Sequence, residues 1–109
     1  MAVAVAPACG PDDVGPHSRL VGGRCSVDND CSKRCITGGN FPEGYCSVTC
    51  LNDKDCPGGS VCISQNGGIC MATCSGAPAD CDPYGAGFSC NRETRQGGSG
   101  GALVCIGGG

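Results

Sequence analysis

Thirteen of the 109 residues are cysteine, and twelve of them form a repeat that constrains everything else the chain can do. From Cys25 onward they fall into three sets of four: Cys25, Cys31, Cys35, Cys46; then Cys50, Cys56, Cys62, Cys70; then Cys74, Cys81, Cys90, Cys105. The period shows in the flanking residues as well. The sets open on CSVDNDC, CLNDKDC and CSGAPADC, and the first two close on YCSVTC and ICMATC. Twelve cysteines allow six disulfides, two per set, and leave Cys9 as the odd thiol. Cross-links of this density belong to an oxidising compartment.

Composition explains why the cross-links are needed. Val, Ile, Leu and Phe together number 17 of 109 residues, below the roughly 20 % that sustains an ordinary core, while glycine contributes 21. Cystines must therefore replace the missing apolar burial. The net charge is −3, and Arg19, Arg24, Lys33, Arg34, Lys54, Arg92 and Arg95 are scattered, so nothing tracks a phosphate backbone. With four aromatics and no Trp, the chain also lacks a stacking platform for bases. Nucleic acid is not an expected partner. No apolar run approaches the roughly 18 residues that span a bilayer.

Turn chemistry gives each set a frame. In the second, VCIS, QNGG and ICMA read as strand, turn and strand, with Asn66-Gly67 supplying the positive-φ turn of a tight hairpin. The same frame fits Cys35 and Cys46 around TGGNFPEG, and Cys90 and Cys105 around the longer NRETRQGGSGGALV. Hairpin cysteines on one face favour bridges to the preceding segment, first to third and second to fourth, although spacing alone allows three pairings per set. CSKRC reads as one helical turn carrying Cys31 and Cys35 on one side. The expected fold class is therefore small and disulfide-rich: three tandem four-cysteine modules, each with a short β-hairpin, little helix, arranged as an elongated rod. The boundaries are 1–22 for an N-terminal apolar segment and tether, 23–49, 50–73 and 74–109 for the modules, the last with a Gly-rich tail. The short SVT and MAT junctions leave little hinge, which is what suggests a stacked rod.

Candidate sites reduce to a few. Asp28 and Asp30, Asp53 and Asp55, and Asp80 precede the second cysteine of each set. They read as turn and cap residues, since a short carboxylate accepts backbone N–H groups; calcium is the alternative, but the run stops at two carboxylates. Zinc knuckles of the C-x2-C kind are absent, and the close pairs are C-x3-C. His17 stands alone in a polar segment, so neither a catalytic constellation, a cofactor nor a small-molecule substrate is expected. Lys33-Arg34, between two cysteines, carries the rival reading of a secreted protease inhibitor or toxin-like ligand. Near the N-terminus, AVAVAPA before Cys9 resembles the end of a secretory signal, and Cys9 a lipid-accepting cysteine; membrane attachment is expected only through such a lipid. Val3 and Val5 otherwise alternate like a strand able to pair with a sheet edge of another copy.

The C-x5-C spacing, with Asp before the second cysteine and a GYC or GIC return, resembles the cysteine-rich repeat proteins and lipoproteins exported by myxobacteria and related bacteria. More distantly it resembles the cystine modules of Dickkopf, whey-acidic and EGF-like proteins. The resemblance spans about 23–105; the third unit departs from it, with Ala79-Asp80 in place of the D-x-D pair. It implies a secreted or cell-surface location and a structural or adhesive role, and it offers no catalytic residues to carry over. The expected function is thus a non-catalytic extracellular protein, cell-surface attached or, through the AVAVA strand, self-associating into a filament or surface layer.

Overall fold

Positive-φ residues set the hairpins. A computed structural model of the chain describes residues 13–107 apart from 78, 86 and 99; Val3, Val5 and Cys9 lie outside the described residues. Strands β1 (Arg34–Gly38) and β2 (Phe41–Ser47) pair antiparallel, with Cys35 opposite Cys46 and a register shift between Ile36 and Gly38. Strands β3 (Ser60–Ile63) and β4 (Ile69–Ala72) place Cys62 opposite Cys70. Their turn puts Asn66 at φ 49° and Gly67 at φ 86°, and the Gly68 N–H closes it onto the Gln65 carbonyl at 2.8 Å. Asn tolerates this left-handed conformation better than most residues, which is why the NGG tip folds back sharply. Strands β5 (Phe88–Thr94) and β6 (Gly101–Gly107) form the longest hairpin, with Cys90 opposite Cys105.

Opposed cysteines never bond to each other. Disulfides join Cys25 to Cys35 and Cys31 to Cys46, Cys50 to Cys62 and Cys56 to Cys70, Cys74 to Cys90 and Cys81 to Cys105. Each hairpin therefore binds the segment that precedes it, first cysteine to third and second to fourth. That segment makes a three-residue 3-10 turn in every module, at Asp28–Asp30, Asp53–Asp55 and Asp82–Tyr84. CSKRC, expected as a helical turn, is not one. Cys31 is already extended at φ −121°, ψ 159°, and Arg34 and Cys35 belong to β1. Pairing with Cys46 commits Cys35 to the ladder, which removes the backbone bonds a helical turn would need.

The modules do not stack into a rod. The molecule measures 44 × 28 × 28 Å with a radius of gyration of 13.3 Å, close to the roughly 13 Å of a compact chain this long. The cause is a single core shared by all three modules. Phe41 and Tyr45 of the first hairpin meet Tyr84 and Phe88 of the third, with Tyr45 centroids 6.0 Å from Tyr84 and 5.9 Å from Phe88. Ile63, Ile69 and Met71 of the second hairpin and Val104 and Ile106 of the third complete it. Polar contacts close the circle. The Ser47 hydroxyl donates to the Cys70 carbonyl at 2.6 Å, Thr73 bridges Val104, and the Gly107 N–H reaches the Asn40 carbonyl at 2.8 Å. The first module thus touches the second, the second the third, and the third the first.

Part of the segment read as a tether is folded into this body. Val21 is fully buried in the core, Val14 bridges it in parallel, and Gly22 and Gly23 exchange backbone hydrogen bonds with Cys46. Among the described residues no helix is long and apolar enough to cross a membrane.

Candidate functional site

The repeated carboxylates are committed to backbone donors. Asp28 Oδ1 accepts the Cys35 N–H and Asp53 Oδ1 the Cys62 N–H, each at 2.9 Å. The first Asp of each D-x-D pair therefore caps the outer edge of the following strand at its cysteine. The second Asp closes the turn behind it. Asp30 Oδ2 accepts from Ser26 N at 2.8 Å and Asp55 Oδ2 from Leu51 N at 2.8 Å. Asp80, which fills the same place in the third module, accepts both the hydroxyl and the N–H of Ser75 at 2.7 Å. These donors hold two carboxyls below the ordinary carboxylate value: Ser26 and then Val27 N–H for Asp30, the Ser75 hydroxyl and then its N–H for Asp80. In place of the first Asp the third module has Pro78 in its sequence, and among the described residues no side chain accepts the Cys90 N–H.

The sulfurs cluster closely. In each module three Sγ atoms lie within 4.8 Å of one another, as in Cys25, Cys31 and Cys46. Every one of them is in a cystine, and a cystine sulfur is not the thiolate that metals require. His17 is exposed and lines an open groove of about 620 Å³ made by residues 13–20 and Ser32. Among the described residues its ring forms no hydrogen bond or ion pair.

The Lys33-Arg34 pair is placed differently from the carboxylates. The segment between Cys31 and Cys35 is a bend that enters β1, with Ser32 and Lys33 exposed and Arg34 half-buried. Both flanks are fastened. The Ser32 N–H donates to the Arg19 carbonyl at 2.7 Å, the Arg34 guanidinium donates to Thr49 Oγ1 at 2.8 Å, and the Cys35 N–H is held by Asp28. Lys33 itself forms no hydrogen bond or ion pair within the described residues, so its ammonium is available to a partner. Lys33 and Arg34 are legible in the sequence, but the contacts of Arg19 with Ser32 and of Thr49 with Arg34 are not, because each joins segments more than ten residues apart in the chain.

A second polar link also escapes a sequence reading. Arg95, near the tip of the third hairpin, reaches Asp53 Oδ2 at 3.0 Å, while Asp53 Oδ1 serves Cys62. Both side chains are over a third exposed, so the ion pair orients the tip more than it stabilises the fold. No protein-family profile, curated protein or solved structure matches the chain.

Proposed function

We propose that the chain is a non-catalytic extracellular protein with a structural or adhesive role that assembles with further copies of itself. The observation that carries the reading is the density of cross-linking: four cystines brace the core shared by the three modules and two more form a satellite cluster in the first, which makes a rigid block suited to permanent extracellular use. Two further points support it. The repeated carboxylates serve backbone N–H groups instead of converging on a cleft. The AVAVA run, with Val3 and Val5 alternating with alanine, has the pattern of a strand that pairs with an exposed sheet edge. Because the body is compact, the structural role rests on association between bodies and not on a rod built within one chain.

Deleting residues 1–8 tests this. The expected result is loss of polymers in electron micrographs and in sedimentation, with six disulfides retained by intact mass. A full-length chain that stays monomeric at every concentration overturns self-assembly. If the truncated chain assembles as well as the full one, strand exchange is lost, and a lipid found on Cys9 would make surface attachment the better account.

A further inference from the structure

We propose that the segment Cys31–Cys35 is a docking loop for a serine protease whose specificity pocket ends in a carboxylate, with Lys33 as the side chain that enters the pocket. The inference goes beyond the assembly reading and does not depend on it.

Comparison among the modules isolates the feature. Between second and third cysteines, the second module has PGGSV and the third DPYGAGFS, neither with a basic residue. Both modules fold with the same pair of cystines and the same hairpin. Lys33 is therefore not required by the architecture. It is placed on the shortest of the three connections, where SKR is the whole span between two cystines.

Geometry favours binding over mere exposure. Cys31 is tied to Cys46 and Cys35 to Cys25, so both ends of the loop are covalently fixed on the same hairpin base. The Ser32 backbone is held by the Arg19 carbonyl, the Arg34 side chain by Thr49 and the Cys35 backbone by Asp28, which leaves Lys33 as the charged side chain of the loop without a partner among the described residues. A loop ordered in advance loses little conformational entropy on docking, and that loss otherwise consumes much of the binding energy of an extended peptide. The exposed ammonium complements a carboxylate at the base of a pocket, and the aliphatic stem of Lys fills the pocket walls. Hydrolysis of the Lys33–Arg34 bond would add one water, placing a carboxylate on Lys33 and an amine on Arg34. Cystines 31–46 and 25–35 would keep both new ends on the hairpin, so the cleaved loop stays poised for resynthesis.

The test uses the oxidised full chain against trypsin, with chymotrypsin as the control of opposite specificity. Tight inhibition of trypsin is expected, weakened roughly 100-fold or more by Lys33→Ala, as for a central anchor residue. Lys33→Leu should move inhibition towards chymotrypsin. Because Lys33 is exposed and makes no hydrogen bond or ion pair among the described residues, both variants should keep six disulfides by intact mass, which separates lost binding from lost folding. No inhibition of trypsin at about 10 μM chain, a level that detects even weak complexes, overturns the proposal. So does equal inhibition by the wild type and Lys33→Ala, or rapid turnover of the chain as an ordinary substrate.

Discussion

The hydroxyl of Tyr45 accepts the Ala72 N–H at 2.9 Å in a core where both residues are buried. Replacing it with Phe keeps the ring contacts and leaves that donor unpaired. Tyr45→Phe should cost about 1–3 kcal/mol of folding free energy, read from denaturant unfolding with cystines intact. Tyr45→Ala, which also opens a cavity among three aromatic rings, should cost about 3–5 kcal/mol. Equal stability of Tyr45→Phe and wild type would show that the Ala72 N–H finds water. Burial also pushes the Tyr45 phenol well above its usual range, so it should titrate only as the chain unfolds. Carboxylates work with the opposite sign. Folding lowers Asp30 and Asp80 below 3.8, so their stabilisation is fully present above that value and is lost as pH falls through the lower folded-state values. The unfolding midpoint should drop as pH falls below about 4, and Asp30→Asn with Asp80→Asn should flatten the drop. An unchanged acid limb in that double variant would assign the loss to other groups.

Among elements, the hairpins were readable because their signals are local. NGG after VCIS, and GGN after the third cysteine of the first module, encode a reversal within a few residues; hairpin cysteines on one face favour bridges to the preceding segment, but spacing alone leaves three pairings per set, and the structure decides among them. CSKRC was misread for a related reason: a C-x3-C spacing suits one helical face as well as it suits a bend between a 3-10 turn and a strand. What decides is the Asp28 carboxylate on the Cys35 N–H and the Cys46 partner across the ladder, and neither is visible in five residues. The cystines themselves should differ in worth. Cys25–Cys35 spans a separation of 10 and Cys81–Cys105 one of 24. On loop entropy alone their removal should cost about 2.7 and about 3.5 kcal/mol. Cys81 and Cys105 are also buried in the common core, whereas Cys25 and Cys35 sit in a smaller satellite cluster. Paired Cys→Ala variants compared by chemical denaturation should therefore rank Cys81–Cys105 as the more damaging loss. The reverse order would mean that strain or residual structure outweighs both terms.

At the level of the whole molecule, closure of three modules around one core was the part hidden from the sequence. Its carriers are Phe41, Tyr45, Tyr84 and Phe88, all the aromatics the chain has, drawn from the first and third modules while the second contributes aliphatic side chains. Contacts between residues some forty positions apart leave no periodic trace; the one available hint is that so few large apolar side chains must meet to exclude water at all. Closure changes how stability should behave. In an open array each repeat leans only on its neighbours, and a terminal repeat can fray alone. Here the third module packs on both others, and Gly107 returns to Asn40. Loss of any module should therefore loosen the remaining two. Residues 50–73 made alone, with cystines 50–62 and 56–70 formed, keep the covalent frame but lose the Ser47 donor to Cys70, the Thr73–Val104 bridge and the cover over Ile63, Ile69 and Met71. Hydrogen exchange should find the Cys70 and Met71 amides well protected in the full chain and exchanging far faster in the fragment, despite identical cystines. Equal protection in the two would make each module an independent fold and the shared core incidental.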